Sequence, residues 1–309
     1  MTIWAYILSA LQAAIPAGTP LLYGTLGEVS AERSGVVNLG MEGMMIMGAV
    51  VAFGVTQTTG NVWLALAAAA LVGALLALVH AFASISLRVN QVVAGLALTM
   101  VGTGISGIMG KKFIGMPPRV QLKPVPIPLL SDLPVLGPLL FQHDILVYIA
   151  LLLVPILWFV FYKTRWGISL RSVGEDPATA DAMGVNVFRV RYLAVLFGGL
   201  MAGIGGAYLP IVYTPAWIEG MTAGAGWIVI ALTSFAMWDP LRALLGAYLF
   251  GGVRILQYRL QGQGVSPPLL NMLPFIFTIL VLLFSAGETM RKRLGAPAAL
   301  MQPYAREER

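Results

Sequence analysis

The sequence predicts an all-α polytopic membrane protein, and three observations carry that expectation. The 309 residues are 58% hydrophobic and only 10% charged, against roughly 25% charged in an ordinary soluble domain. A soluble fold of this length would bury a large core but lack the charge to cover it. Apolar runs of the length that crosses roughly 30 Å of hydrocarbon, about 20 residues, recur along the chain. They are continuous, without the period-2 alternation of a strand barrel.

About nine spans are expected, with a range of eight to ten because several segments are short or Gly-rich enough to hide a half-helix. Ile3–Leu26 comes first. No charged side chain precedes Glu28, so the basic n-region of a cleaved signal peptide is missing and this run reads as a membrane segment. Asn38–Val55, Val62–Leu87 and Val92–Met109 follow. Residues 113–143 then form a loop with Pro117, Pro118, Pro124, Pro126, Pro128, Pro134 and Pro138, expected to be ordered, mostly non-helical and packed over the outer face. Ile145–Tyr162 precedes a basic loop at 163–191. Tyr192–Ile211, Ala223–Met237, Leu241–Leu256 and Leu269–Ser285 complete the set. Residues 1–290 thus read as one transmembrane domain and 291–309 as a tail.

Orientation follows from Lys and Arg near segment ends. Lys163, Arg165, Arg171, Arg189 and Arg191 mark the 163–191 loop, and Arg291, Lys292 and Arg293 the tail, so both are expected in the cytoplasm. Four spans lie between them, an even number, as that requires. Counting back places Arg33 and Arg88 inside and the N-terminus outside. Lys111, Lys112 and Arg259 then fall outside, against the rule. The net charge of +6 therefore reads as topology, not as nucleic-acid binding. Without cysteine there are no disulfides or thiolate sites.

Several patterns resemble chemistry without supporting it. Gly102-Thr103-Gly104-Ile105-Ser106-Gly107 matches G-x-G-x-x-G but lies in an apolar helix, where helix packing explains it. Gly110-Lys111-Lys112 lacks the Ser or Thr of a phosphate loop. His80 and His143 have no neighbouring cysteine or carboxylate cluster beyond Asp144, so no metal site is expected. Nothing marks a catalytic residue.

The polar positions within the apolar runs are the candidates for a translocation path. Asn38 and Glu42 are four apart and share a helix face. A carboxylate at that depth borders a water-filled route or clamps two helices together, and the small residues around it favour the clamp. Asn90 and Gln91 open the next run, with Asn90 suited to cap it. Trp227 fits an interfacial belt or a substrate mouth.

The 163–191 loop contains Gly174-Glu175-Asp176-Pro177, then a small-residue run through Ala180 and Ala182 to Met183 and Gly184. Asp176 suits an N-cap, Pro177 the first helical position and Gly184 the stop. The result is a short exposed helix, suited to a partner's groove or to lying on the membrane surface.

Three blocks give this chain a family likeness: GVVNLGMEG from Gly35, Arg171 to Gly184 running into FGGLMAGIGGAYL, and Thr222 to Gly252. They resemble inner-membrane permeases of ABC transporters in the ribose, branched-chain amino acid and simple-sugar class. Within it the chain looks most like the nucleoside branch associated with basic membrane proteins. The resemblance implies a type II ABC importer-like permease in the bacterial cytoplasmic membrane, not itself an enzyme and binding no cofactor. ATP and Mg2+ would belong to a cytoplasmic ABC ATPase. The other implied partners are a second, related permease, a solute-binding protein or lipoprotein, and a small neutral solute. Gly174, Glu175, Asp176, Pro177, Ala180, Ala182, Met183 and Gly184 would form the ATPase-coupling segment. A sugar importer is the alternative within the class; an ion-coupled transporter and a membrane scaffold are the rivals outside it.

Overall fold

The computed structural model describes residues 3–261, 266–285 and 295–306. The tail cations Arg291, Lys292 and Arg293 lie outside the described residues. Every regular element described is helical: α1 (Ile3–Arg33), α2 (Met41–Thr59), α3 (Val62–Ala81), α4 (Gln91–Gly110), α5 (Leu136–Leu140), α6 (Ile145–Lys163), α7 (Arg165–Glu175), α8 (Pro177–Ala182), α9 (Val187–Tyr208), α10 (Ala225–Phe235), α11 (Pro240–Gln261), α12 (Pro267–Asn271) and α13 (Leu273–Ser285). Single π-turns extend α3 to Ser86 and α9 to Tyr213.

Among the described residues, five helices are long and apolar enough to cross a membrane: Trp4–Arg33, Val62–Ser86, Gln91–Phe113, Ile145–Lys163 and Val187–Tyr213. Two shorter apolar helices, Ala225–Phe235 and Pro268–Leu280, accompany them. This is fewer than the nine full spans expected, and at two of the segments the structure departs from the expected run for a physical reason. The segment expected at Asn38–Val55 begins as helix only at Met41, because residues 34–40 run non-helically up between α1 and α4. The Thr99 hydroxyl donates to Leu39 O at 2.9 Å, so α2 starts about two turns inside α4. The segment expected at Ala223–Met237 is helical for only 11 residues, about 16 Å of rise, half the hydrocarbon thickness.

α2 lies in the middle, against α3, α4 and α9, while α1 packs on α9, α10 and α11. Backbones approach closely where small residues meet. A Cβ on Gly203 of α9 would run into the Ala69 carbonyl of α3, and one on Gly73 into the Gly199 carbonyl of α9. Such packing substitutes for the hydrophobic drive that lipid does not provide between helices.

Residues 295–306 fold back onto the end of the bundle that carries Arg33 and α7–α9. The proline-rich loop covers the other end. Leu122 N donates to Ile211 O at 3.2 Å, Val125 N to His143 O at 2.9 Å, and Arg119 Nη1 to Gln57 O at 3.1 Å. Of the cations that broke the orientation rule, Arg259 donates to Tyr6 O and Ser9 Oγ at the start of α1, and Lys112 lies over the Phe113 ring.

Candidate functional site

The half-helix α10 is held at both ends by glutamates from other helices. Its N-cap, Gly224, has no side chain to cap with, and both Ala223 and Gly224 take left-handed backbone angles, φ 47° and 82°. Glu42 supplies the cap from α2. Its Oε1 accepts from Thr222 Oγ1 at 2.5 Å and from Gly224 N at 3.0 Å, and its Oε2 accepts from Gly226 N at 2.6 Å. Free N–H groups and the positive end of a helix dipole make such a turn a cradle for a carboxylate. Gly226 has no room for a side chain, because a Cβ would meet the Glu42 backbone.

The far end of α10 is held by a second glutamate. Trp238 Nε1 donates to Glu32 Oε2 at 2.6 Å, and Met237 and Trp238 are again left-handed. Glu28, one turn before Glu32, accepts from Asn38 N at 2.8 Å. All three glutamates are buried. Each bonds backbone or side-chain donors from another segment, so together they fix α10 and the 34–40 segment to α1 and α2.

The other candidate path residues also have internal partners. Asn38 is fully buried; its Oδ1 accepts from Gly40 N at 2.9 Å and its Nδ2 faces the sulfurs of Met41 and Met44. Gln91 Oε1 accepts from Val37 N at 2.8 Å. Asn90 caps α4 through Val92 N and Val93 N. Trp227 is half-buried on the first turn of α10. His80 Nε2 lies 3.0 Å from Val37 O, and His143 Nε2 lies 2.8 Å from Leu139 O.

At the opposite face, α8 forms as its residues dictate. Asp176 accepts from Ala178 N at 3.0 Å and Thr179 N at 3.1 Å, with Pro177 in the first turn. Those bonds, led by the Thr179 hydroxyl, hold the Asp176 carboxyl below the usual aspartate range. Gly184 leaves the helix at φ 87°. The segment has two sides. Ala180 is buried and Gly174 packs beneath the Arg33 carbonyl, while Ala182, Met183 and Gly184 are exposed, Met183 by 81%.

The tail braces this segment. Ala299 N donates to Gly174 O at 2.9 Å, Met301 N to Gly35 O at 3.1 Å and Ala298 N to Glu175 Oε2 at 3.4 Å. Buried Arg191 ties it inward, donating to Ser34 O and to Gln302 O, both at 3.1 Å. Arg306 pairs with Asp181 at 3.1 Å.

Two of the cavities among the described residues bear on a solute. One of about 500 Å³ lies beneath the proline-rich loop, with Gln12, Gln121, Lys123 and Gln142 in its wall. The other, about 290 Å³, lies between α1, α10, α11 and α13.

The model of the family described as branched-chain amino acid transport system permease components matches residues 4–282. The chain belongs to this permease family. It is 42% identical, over 98% of its length and 99% of the relative's, to a Haloferax volcanii protein provisionally named a glucose ABC transporter permease. It is 36% identical, over the same shares, to the guanosine ABC transporter permease of Bacillus subtilis. A Lactococcus lactis nucleoside ABC transporter permease is 33% identical over 88% of this chain and 90% of the relative. No solved structure matches the chain. As a permease of this family, the protein is a non-catalytic transmembrane subunit of an ABC-type importer.

Sequence reasoning assigns no anchoring role to Glu28, Glu32 or Arg191 and does not foresee the tail packing on the bundle. Glu28 and Glu32 fall just beyond the apolar run of α1, and Arg191 was counted as a topology charge. The available signal was spacing, since Glu28 and Glu32 are four apart on a helix that continues to Arg33.

Proposed function

We propose that this permease carries nucleosides inward across the cytoplasmic membrane. The observation that carries the reading is end-to-end likeness to a guanosine permease together with likeness to a nucleoside permease. ATP and Mg2+ are held by a separate cytoplasmic ATPase. A second, related permease completes the membrane core, and an extracytoplasmic binding protein or lipoprotein delivers the solute. With α2, α10, α11 and α13 included, the membrane core reaches nine crossings, and both the 163–191 loop and the tail face the cytoplasm.

The ATPase docks on the exposed side of α8. Ala182, Met183 and Gly184 meet it, while Asp176 and Pro177 shape the helix and Gly174, Glu175 and Ala180 seat it on α1 and the tail. Movement of the ATPase pair then passes into α7 and α9. Asn38, Glu42, Asn90, Gln91 and Trp227 act beside the path, chiefly by holding its walls in place.

A sugar is the second reading, favoured by the 42% identity to the Haloferax volcanii protein. One experiment separates the two. The chain is reconstituted with a sister permease, ATPase and binding protein, and ATP-dependent accumulation of labelled guanosine, uridine, ribose and glucose is measured. Nucleoside uptake that stops without ATP is expected. Uptake of glucose alone would move the protein to the sugar importers.

A further inference from the structure

The 290 Å³ cavity between α1, α10, α11 and α13 is close to the lower end of the range for small-molecule sites, roughly 300–1,000 Å³. Its wall combines Thr222, Arg254, Gln257, Tyr258, Asn271 and Phe275. Arg254, Gln257 and Tyr258 stand at i, i+3 and i+4 of α11, so one helix face presents all three. A cation partly buried on a helix of a membrane bundle marks a functional position by default. Arg254 is placed over the Tyr213 ring, 5.8 Å from its centroid.

The two amides give the cavity its chemistry. Gln257 Nε2 donates to Asn271 Oδ1 at 2.7 Å. That bond leaves Gln257 Oε1 as an acceptor and Asn271 Nδ2 as a donor. A neighbouring acceptor and donor complement a planar edge that offers one of each, as nucleobase edges do. Tyr258 and Phe275 are half-exposed aromatic rings in the same wall, surfaces on which a flat heterocycle stacks. A free sugar lacks that planar edge, so the amide pair, more than the aromatic rings, separates the two kinds of solute. Thr222, also in the wall, is bonded to Glu42.

We infer that this cavity is a solute station within the permease, at which the Gln257–Asn271 amide pair reads the base edge of a nucleoside stacked on Tyr258 or Phe275. The inference rests on the nucleoside reading above and adds a site to it.

The test uses the complete reconstituted transporter. Wild-type uptake of guanosine and glucose is measured first. The same complex is then photolabelled with 8-azidoguanosine and the labelled peptide is mapped. Gln257→Leu and Asn271→Leu are expected to raise the KM for guanosine about tenfold each, the scale of one lost hydrogen bond to a ligand, and together by less than the product. Tyr258→Ala, at an exposed side chain whose loss leaves the fold intact, is expected to raise it as well. Label should fall within 222–275 and be displaced by guanosine but not by ribose. If the wild type transports guanosine but labels elsewhere, or if the KM is unchanged in all three variants, the site is wrong and the importer reading stands. If the wild type takes up glucose and no nucleoside, both readings fall together.

Discussion

Glu42 and Thr222 are 180 positions apart in sequence, yet Thr222 Oγ1 donates to Glu42 Oε1 at 2.5 Å. The carboxylate has three donors from one turn and holds two left-handed residues at the head of α10. Strained backbone of this kind persists only where its surroundings over-determine it. Glu42→Ala leaves two backbone N–H groups and a hydroxyl without their partner in a buried place. The expected loss is about 3 kcal/mol, read as a lowered melting temperature of the purified protein in detergent. Thr222→Val removes only one of the three bonds and should cost about 1 kcal/mol. Equal melting temperatures for wild type and Glu42→Ala would remove the clamp from this account.

At the other end of α10, Trp238→Phe keeps an aromatic side chain, though a smaller one, and deletes the donor to Glu32. A buried acceptor that loses its partner costs about 1–3 kcal/mol. Because Glu42 still holds the N-terminus, the damage should stay local. Amide exchange is expected to rise in 232–240 and to remain unchanged around 222–226. Uniform protection across α10 would show that Trp238 is not an anchor.

How far the sequence announces this arrangement depends on whether a pattern is local. The apolar runs of α1, α3, α4, α6 and α9 are written in consecutive residues, and so is α8, with Asp176 as cap and Gly184 as stop. α10 reads as a full span because Ala223 to Met237 is predominantly apolar and carries no charge. Its break at Ala223 and Gly224 depends on a carboxylate from another helix, and only the fold brings that carboxylate there. Asn90 and Gln91 show both cases side by side. Asn90 caps its own helix, as its position announces, whereas Gln91 reaches Val37, 54 positions away. Residues 295–306 are short and carry no helical or strand period, so nothing local reveals that Arg191 will bind them.

The α3–α9 crossing gives a third prediction. A methyl on Gly203 meets the backbone of α3, which has no flexible side chain to move aside. Gly203→Ala should cost about 1–3 kcal/mol and Gly203→Leu should prevent the bundle from assembling. Gly184 has open space around it, yet its φ of 87° disfavours any side chain, so Gly184→Ala should spare the bundle and affect only the α8 turn. Comparing the melting temperatures of the two alanine variants checks both statements.

The tail gives a fourth. Arg306 is 75% exposed, and its pairing with Asp181 is worth at most about 1 kcal/mol, as for surface pairs generally. Arg191 is 2% exposed and binds Ser34 O and Gln302 O at once. Arg191→Met should therefore release 295–306, at a cost of about 2–4 kcal/mol, while Arg306→Ala should not. Limited proteolysis of the purified chain separates them: early cleavage before residue 306 is expected in Arg191→Met alone. Equal resistance in both would mean that the tail is held by its backbone bonds to Gly35 and Gly174.

Asp176 sets the pH behaviour of α8. Its carboxyl titrates below the usual aspartate value because the Thr179 hydroxyl and backbone N–H, and then the Ala178 N–H, bond the ionised form. A depressed folded value means that the cap is at full strength above the unfolded pKa, about 3.9. It weakens only as pH falls through the lower folded value. Uptake by the assembled transporter should then show no inflection from this group between about pH 5.5 and 8. Asp176→Ala should lower uptake several-fold at every pH in that window without preventing assembly, and Asp176→Ser, which can still cap, should restore most of it. No rescue by serine would show that Asp176 acts by charge toward a partner and not by shaping the helix.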